Sequence, residues 1–299
     1  MNILGFADPH IEESNIKELD VVFQEIYSHI CPDDVIVCLG DYLDKKRSSA
    51  REIEFALDWI VKFSSNNKVY MLIGNHPYID SNTSSIKYLK HYCEISEDLV
   101  LEDVYFAHKM TKHSEMFFGL DIPSKQKWVV DNEDELNKYR YVILGHQHSF
   151  QKLSNNSYHI GSIVYTDFSE AGHKGKYIFK IIEGQFDKIG LKIIPLKTVI
   201  PMKDINDWEE LERTPKMTKV RYIFNSFNQL KDEIDFVNKF RDKFVTFKIK
   251  IDFKDIPNQT STPKTSWKSF NDFIVEEIKK LTDIEVKEEL IKEFNKILK

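Results

Sequence analysis

Short apolar runs in the first half of this 299-residue chain each end in a cluster of potential metal ligands. The clusters are Asp8-Pro9-His10, Gly40-Asp41-Tyr42-Leu43-Asp44, Gly74-Asn75-His76, His108 and Gly145-His146-Gln147-His148. A short apolar run predicts a strand that is buried on both faces. Because ligands at the carboxyl ends of parallel strands meet in one crevice, the sequence predicts one site that gathers these side chains.

The residue types in the clusters fit two neighbouring divalent ions. Imidazole nitrogens with carboxylate and amide oxygens are the ligands of such pairs, in which one carboxylate is shared. Glycine stands directly before Asp41, Asn75 and His146, where we expect it to let the backbone turn sharply and approach the ions. A single Asp-x-His is a weak signal, but the clusters in this order predict a dinuclear metal centre.

The spacing of apolar residues predicts an α/β fold. Runs at 3–7, 34–39 and 69–73 alternate with helical spacing over 16–30 and 53–61, which is typical of a parallel sheet covered by helices. From about residue 98, closely spaced runs indicate a second, more antiparallel sheet. The prediction is a two-sheet α/β sandwich with helices on the outside, followed by a small α+β cap and C-terminal helices.

The chain is expected to divide into a catalytic domain over 1–200, an α+β cap over 204–254, a linker over 255–265 and a helical module over 266–299. No apolar run reaches the roughly 18 residues of a spanning helix, and the first residues lack a secretion signal. We therefore expect a soluble, cytoplasmic protein without membrane contact. Three cysteines without a CxxC spacing indicate neither a disulfide framework nor a thiolate zinc site.

The formal net charge of −6 argues, at first sight, against a polyanionic partner. The acidic residues are concentrated in the first 100 residues, however, whereas the segment 216–299 is basic. Two bound divalent ions would add positive charge to the acidic part. The net charge therefore does not exclude a nucleic acid as substrate.

The clusters resemble the motif series of the calcineurin-like metallophosphoesterases, which runs Asp-x-His, Gly-Asp-x-x-Asp, Gly-Asn-His, a lone His and Gly-His-x-His. The resemblance covers residues 1–200. The ligands that it implies for one metal are Asp8, His10 and His148. Those that it implies for the other are Asn75, His108 and His146, with Asp41 as the bridge. The expected cofactors are two divalent ions, first of all Mn²⁺, with Mg²⁺, Fe²⁺ or Zn²⁺ as alternatives.

The resemblance also implies catalytic roles for His76 and Asp44. His76 would face the scissile phosphate instead of binding metal, and Asp44 would orient neighbouring groups. Two metals polarise phosphate oxygens and lower the pKa of a bound water, which makes hydroxide available for attack on phosphorus. With an ordinary imidazole pKa of about 6.5, His76 can give a proton to the leaving oxygen. The expected reaction is hydrolysis of a phosphoester.

A closer resemblance extends beyond the metal motifs. The segment 173–205 and the Ile160-Gly161-Ser162 turn are similar to their counterparts in SbcD-type DNA exonucleases, the nuclease subunits of bacterial and phage SbcCD-like complexes. This resemblance implies a 3′→5′ exonuclease and single-strand endonuclease that works with an SbcC-like coiled-coil ATPase in DNA end processing, recombination and repair. It also implies a homodimer within a heterotetramer, in the host cytoplasm if the chain is phage-encoded.

Two further sets of residues follow from this resemblance. Basic residues of the cap are candidates for DNA phosphate contacts, although most such runs are only a solvated face. They are Lys239, Arg241, Lys243, Lys248 and Lys250. Apolar residues of the last two helices are candidates for docking on the ATPase, since a polar linker precedes them, although such helices usually pack on their own domain. They are Phe270, Phe273, Ile274, Ile278, Leu281, Leu290 and Phe294.

Departures from the family pattern keep other functions open. Pro77 stands where the exonucleases usually carry Asp and where serine/threonine phosphatases carry Glu, and no glycine follows His10 as it does in those phosphatases. The alternative function is a stand-alone phosphodiesterase or phosphatase that acts on nucleotides or phosphoproteins. A third hypothesis is a non-enzymatic assembly factor, against which the intact ligand set argues.

Overall fold

The computed structural model describes residues 1–76, 78–80, 83–111, 130, 133–172, 175–192, 202–216 and 218–252. The predicted linker and helical module lie outside the described residues, and so do all seven candidates for ATPase docking. Within the described ranges, no helix combines the length and the apolar character that crossing a membrane requires.

Strands and helices alternate in the first part of the chain, and strands predominate in its middle. The strands are β1 (Ile3–Phe6), β2 (Val35–Cys38), β3 (Lys68–Leu72), β4 (Tyr78–Asp80), β5 (Thr83–Ser84), β6 (Glu94–Ser96), β7 (Asp98–Leu101), β8 (Val104–Ala107), β9 (Tyr141–Leu144), β10 (Gln151–Lys152), β11 (Ser157–His159), β12 (Tyr177–Ile182), β13 (Gln185–Gly190), β14 (Met202–Ile205), β15 (Lys219–Phe224) and β16 (Thr246–Ile251). The α-helices are α1 (Ile16–Ser28), α2 (Ala50–Ser64), α3 (Trp208–Arg213) and α4 (Phe227–Phe240).

The first sheet has the strand order β13-β12-β1-β2-β3-β6. Strands β1, β2, β3 and β6 run parallel, whereas β12 pairs antiparallel with both β1 and β13. The apolar faces of α1 and α2 cover this sheet, and the rings of Phe23 and Phe63 each lie 5.8 Å from that of Phe6. A capping box of Ser49 and Glu52 begins α2. The strands and helices predicted for the first 73 residues are confirmed.

The second sheet has the order β10-β11-β9-β8-β7. Its three central strands, β8, β9 and β11, run parallel, and only the edge strands β7 and β10 are antiparallel. The expectation of a more antiparallel sheet was therefore wrong for its centre. The long segment 108–140 between β8 and β9 permits a crossover, whereas a tight turn would have made a hairpin.

The two sheets face each other and enclose a second apolar core, in which the rings of Phe106 and Phe179 stack at 6.0 Å. With helices on the outer face of the first sheet, the architecture is the expected α/β sandwich.

Residues 202–251 contribute a three-stranded parallel sheet in the order β14-β15-β16, with α4 crossing from β15 to β16. Its core contains Tyr222, Phe224 and Val237, all fully buried. Lys219, at the start of β15, donates to the Tyr165 carbonyl at 2.5 Å and lies 2.6 Å from the carboxylate of Glu18 in α1. The division of the chain into a catalytic domain and a cap remains a prediction.

Candidate metal centre

The polar clusters occupy the loops that directly follow β1, β2, β3, β8 and β9. Backbone hydrogen bonds join these loops. The His10 amide donates to the Asp41 carbonyl at 2.9 Å, and the Gly145 amide donates to the Ala107 carbonyl at 3.0 Å. The loops therefore meet at one edge of the sandwich, where the sequence predicted the site.

Four of the expected ligands have a left-handed backbone. The φ angle is 51° at Asp8, 48° at His10, 44° at Asp41 and 74° at His146. Residues other than glycine seldom adopt this conformation, which costs roughly 1–3 kcal/mol per residue and persists only where the surroundings impose it. Because such strain clusters at functional sites, its concentration at these four residues supports a functional role for the loops.

The glycines of the motifs serve two different needs. Gly40 has a φ of 105°, and a Cβ there would overlap the ring of His108. At Gly74 a Cβ would overlap Asp41, and at Gly145 it would lie 2.5 Å from the Leu39 carbonyl oxygen. The expected sharp turn thus explains Gly40, whereas the close approach of other ligand loops explains Gly74 and Gly145.

The first group of ligand atoms comes from His10, Asp41 and His148, with His76 beside them. Donor atoms of His10, Asp41 and His76 lie within 4.8 Å of one another. The Nε2 atom of His10 is 3.1 Å from Nε2 of His148 and 3.8 Å from Oδ2 of Asp41. We refer to His10, Asp41 and His148 as the first group.

The second group consists of Asn75, Asp41, His108 and His146. The Oδ1 atom of Asn75 lies 2.9 Å from Nε2 of His108 and 2.8 Å from Nδ1 of His146. His108 Nε2 is also 3.2 Å from Oδ2 of Asp41. Asp41 therefore belongs to both groups, which is the position that a bridging carboxylate requires.

Asp8 lies close to both groups. Its carboxylate accepts a hydrogen bond from the His146 amide at 3.1 Å, and its Oδ1 is 3.3 Å from Nδ1 of His108. It also interacts electrostatically with His148 and Asp41. The resemblance implies Asp8 as a ligand beside His10 and His148, whereas its hydrogen bond and its 3.3 Å contact in the structure are with the second group.

Hydrogen bonds fix which ring nitrogen each histidine of the first group presents. His10 Nδ1 lies 3.0 Å from Oδ1 of Asp44, and His148 Nδ1 lies 2.8 Å from Oε1 of Glu170. Because a carboxylate only accepts, each Nδ1 donates and each Nε2 carries the lone pair. The two Nε2 atoms lie 3.1 Å apart, so the lone pairs of the neutral rings meet at one point, where a cation or a shared proton can lie.

In the second group the nearest acceptor of His108 Nδ1 is a backbone carbonyl, with the Asp8 carboxylate farther away at 3.3 Å. His108 Nδ1 donates to the Leu39 carbonyl at 2.8 Å, which leaves Nε2 to face Asn75 and Asp41. The His108 side chain is fully buried, whereas that of His148 is 26% exposed. The partly exposed members, His148 in the first group and Asn75 and His146 in the second, therefore form the open side of the centre.

The charged groups of the centre shift one another's pKa values. Burial opposes ionisation of Asp8 and Asp41, but the charge and hydrogen bonds of His108 outweigh it and hold both pKa values below their ordinary range. Burial alone would lower the pKa of His108, yet Asp41 and Asp8 raise it to about 10. Burial and repulsion by His108 lower the pKa of His146 to about 3, so its ring is neutral.

These observations show that the residues fit a pair of divalent cations. Buried ionised carboxylates need positive charge, which the protonated ring of His108 supplies and which divalent cations would supply in its place; the donor atoms of His10, His146, His148 and Asn75 converge on the same points. Oxygen and imidazole donors without thiolates suit Mn²⁺, Fe²⁺, Zn²⁺ and Mg²⁺. The centre therefore has the chemistry of a metal site.

His76 and Asp44 form the rim of the centre. The His76 amide donates to Oδ1 of Asp41 at 2.9 Å, and its Nδ1 lies 2.8 Å from the Asp44 carbonyl and 3.3 Å from the Asp44 carboxylate. The hydrogen bond to Asp44 raises the pKa of His76 to about 9. The His76 side chain is 39% exposed. Asp44 contacts both His10 and His76, so it is placed to orient them, as the resemblance implies.

Several residues that support the centre were not found from the sequence. Asn15 donates to the His10 carbonyl at 2.8 Å and accepts from the Glu12 amide at 3.0 Å, which holds the first loop. Glu170 and Lys176 lie behind His148. No periodicity or motif marks any of these positions, because each acts through a contact that only the folded chain creates.

The basic candidates in the cap differ in their surroundings. Arg241 and Lys248 line a cleft of about 510 Å³ together with Lys17 and Arg51. Lys243 instead donates to the carbonyls of Leu211 and Glu212, at 3.2 and 2.7 Å. Of the remaining two candidates, Lys250 lies 3.7 Å from the carboxylate of Asp252, and Lys239 is exposed on α4.

Comparison with known proteins gives one family and distant relatives. Residues 1–179 match the family model described as calcineurin-like phosphoesterase. Over 255 residues the chain is 22% identical to protein 244L of Invertebrate iridescent virus 6. That viral protein is named a phosphoesterase by inference. The match covers 72% of this chain and 89% of the viral protein.

Two of the similar solved structures are YfcE, a phosphoesterase from E. coli, and nuclease MPE of Pseudomonas putida. YfcE is 12% identical, with a TM-score of 0.33, over 64% of this chain and 100% of its own. Nuclease MPE is 15% identical, with a TM-score of 0.31, over 62% of this chain and 87% of its own. Both TM-scores lie below 0.5, so both likenesses are remote.

Proposed function

The chain belongs to the calcineurin-like phosphoesterase family, and from that premise we propose that it is a manganese-dependent DNA nuclease of the SbcD type. It is a hydrolase of the phosphoester class, with a centre that fits two divalent cations. The proposal adds the substrate, the metal and a partner to this statement. It places the activity in DNA end processing, recombination and repair, in the cytoplasm, or in the host cytoplasm for a phage-encoded chain.

One observation carries the hydrolytic part of the proposal. Asp41 belongs to both groups of ligand atoms, and His76 stands at the exposed side of the pair. A phosphate that enters from this side meets both cation positions and an imidazole together. This arrangement is suited to in-line displacement at phosphorus.

The residues of the chain divide the work of the reaction. When bound, two divalent ions polarise the phosphate oxygens and supply an activated water near neutral pH. Asp8, His10 and His148 would hold one ion, and Asn75, His108 and His146 the other, with Asp41 shared between them. His76 is anchored through its amide and Nδ1, which leaves Nε2 to donate a proton to the leaving oxygen.

The basic cleft supports nucleic acid as the substrate. Lys17 and Arg51 come from the helices of the catalytic part, and Arg241 and Lys248 from the cap. Only Glu13 and Asp242 offset these four charges among the residues that line the cleft. Such a surface attracts phosphates without reading bases. We assign Arg241 and Lys248 to DNA contacts, whereas the engaged ammonium group of Lys243 makes it the weakest of the original candidates.

The partner is proposed from the resemblance alone. An SbcC-like ATPase would dock on the segment 266–299, and two nuclease subunits would pair within a heterotetramer. Co-elution of the chain with such an ATPase in size-exclusion chromatography tests this interaction. A Phe270→Asp, Phe273→Asp variant should lose co-elution, whereas a Lys268→Ala control should keep it. Full co-elution of the double variant would contradict the proposed docking surface.

The substrate is tested by assaying the protein with Mn²⁺ on end-labelled duplex DNA, on circular single-stranded DNA and on a small phosphodiester. We expect degradation of both DNAs, and a loss of about 100- to 10,000-fold in His76→Ala, because the proton donor is removed. The exposed His91 gives a matched control, His91→Ala, with unchanged activity. Hydrolysis of the small ester without any DNA degradation, with and without the ATPase, would favour the stand-alone phosphodiesterase and overturn the nuclease proposal.

The cleft is tested by the salt dependence of DNA binding. Each phosphate contact that is lost should reduce the slope of log affinity against log salt by about one unit. We expect this reduction for Arg241→Ala and for Lys248→Ala, and none for Lys62→Ala on the exposed face of α2. Equal slopes in all three variants would place the DNA elsewhere.

A further inference from the structure

A buried acid and a buried base lie directly behind the metal ligand His148. Glu170 is 4% exposed and Lys176 is 1% exposed. Charged side chains are rarely buried this deeply unless they are paired, and desolvation makes even a paired arrangement costly. The pair therefore needs an explanation beyond a general contribution to folding.

The contacts of the pair converge on one residue. Glu170 Oε1 accepts from His148 Nδ1 at 2.8 Å, and Oε2 accepts from Lys176 Nζ at 2.9 Å. Lys176 Nζ also donates to the His148 carbonyl at 3.3 Å and to Ser162 Oγ at 2.8 Å. The side chain and the main chain of His148 are thus held by the two members of the same ion pair.

Thr166 completes the arrangement. Its Oγ1 lies 2.7 Å from His148 Nδ1 and donates to the carboxylate of Glu170. With Nδ1 occupied on both sides, the ring has one orientation and one tautomer, and Nε2 is the atom that faces His10. A carboxylate behind an imidazole also increases the basicity of the metal-binding nitrogen.

We propose that Glu170 and Lys176 are positioning residues that set the metal affinity of the first group by fixing His148. This inference rests on the metal centre of the proposed function. Glu170 orients the ring, and Lys176 holds both Glu170 and the backbone of His148. Neither residue touches the substrate, so their effect on hydrolysis acts entirely through the metal ligand.

A second ion pair in the same molecule, with a buried carboxylate and a lysine whose side chain is 12% exposed, provides a control. Asp34 is 3% exposed and lies 3.6 Å from Nζ of Lys180. It precedes β2, whereas Asp41 follows the same strand, so this pair sits at the end of the sheet away from the metal centre. If both ion pairs contribute only to folding stability, replacing either of them should have the same effect on metal binding.

The experiment is a titration of the chelator-treated protein with Mn²⁺. Electron paramagnetic resonance measures the signal of free Mn²⁺ and that of two coupled, bound Mn²⁺ ions. We expect two bound ions in the wild-type protein. In Glu170→Gln one ion should bind about 10- to 100-fold more weakly, with loss of the coupled signal, while the other keeps its affinity. The double variant Glu170→Gln, Lys176→Met leaves no unpaired buried charge, and thermal unfolding checks that it folds; it should show the same loss.

The outcomes separate this inference from the proposed function. Asp34→Asn, Lys180→Met should bind both ions as the wild type does. Two ions bound with wild-type affinity in the folded Glu170→Gln, Lys176→Met variant would overturn the positioning role and leave the metal centre intact. An equal loss in both double variants would likewise overturn it. A wild-type protein that binds fewer than two ions would overturn the proposed function itself.

Discussion

The two groups of the metal centre use the same types of ligand but hold them differently. In the first group each imidazole contacts a carboxylate, His10 that of Asp44 and His148 that of Glu170. In the second group His108 donates to the backbone carbonyl of Leu39 and is fully buried. His148 is partly exposed, whereas the side chain of His108 is buried.

This difference separates two kinds of control over the metals. A carbonyl in a strand-end loop is fixed by the fold, so the second group is set once the sheets have formed. A carboxylate side chain can be changed without changing the backbone, so the affinity of the first group is adjustable by single substitutions. We expect substitutions of the buried His108 to affect folding and metal binding together, and those of the partly exposed His148 to affect mainly metal binding and activity.

The largest effect is expected at Asp41, the residue that the two groups share. Asp41→Asn removes the negative charge that both cations need, so metal analysis should show fewer than two ions. Phosphodiester hydrolysis should fall by at least about a thousandfold, or ~4 kcal/mol in activation free energy. Retention of two ions at wild-type affinity would show that the groups do not depend on a common carboxylate.

The next largest difference between the two groups is expected in the free energy of unfolding, measured without bound metal. His108→Ala leaves the buried carboxylates of Asp8 and Asp41 without their partner, which should cost about 3 kcal/mol in the free energy of unfolding. His148→Ala, at a partly exposed position, should cost about 1 kcal/mol or less. Urea unfolding in a chelator measures both values. Equal losses would mean that the first group is as much a part of the core as the second.

Asp44 tests the carboxylate support of His10. Asp44→Asn keeps the size of the side chain but weakens its contacts with His10 and His76. Activity should fall about 10- to 100-fold, with unchanged unfolding in chelator. The exposed Asp58→Asn, in α2, serves as the control and should behave as the wild type. Activity of Asp44→Asn within twofold of the wild type would remove the proposed difference between the groups.

The smallest effect is expected from a residue outside the centre. Lys219 of β15 donates to the Tyr165 carbonyl, and the next residue, Thr166, contacts His148. Replacing Lys219 by Met together with Glu18→Gln removes this link without leaving a buried charge unpaired. We expect the first group to bind its ion about threefold more weakly, because coupling through such contacts is typically 0.5–2 kcal/mol. The affinity of the second group for its ion should not change. A Mn²⁺ titration checks both, and equal weakening of both ions would contradict a link to His148 alone.

The sequence predicted the ligands because their signals are local. Each ligand follows an apolar run, and the end of a buried strand is the place where a sheet exposes side chains to a crevice. Asp41 and His146 could be assigned to one site without coordinates, since each directly follows the carboxyl end of a predicted strand, although β2 and β9 lie in different sheets. The residues that support the ligands have no such local signal. The pairing of Glu170 with His148 depends on where β12 and the segment before it pack.

The difference between local and long-range signals also explains which parts of the fold could be predicted. The alternation of strand and helix up to β3 gave the parallel part of the first sheet, because crossover connections are nearly always of one hand. The direction of β8 against β9 depended on a segment of more than 30 residues without clear periodicity, 108–140. Spacing alone therefore could not show that the centre of the second sheet is parallel.

The central claim is that two cations share Asp41, one in each group. Crystals soaked with Mn²⁺ and measured at the manganese absorption edge test it directly. We expect two anomalous peaks about 4 Å apart on either side of Asp41, one contacted by His10 and His148 and the other by Asn75, His108 and His146. A single peak, or two peaks of which only one contacts Asp41, would contradict the account.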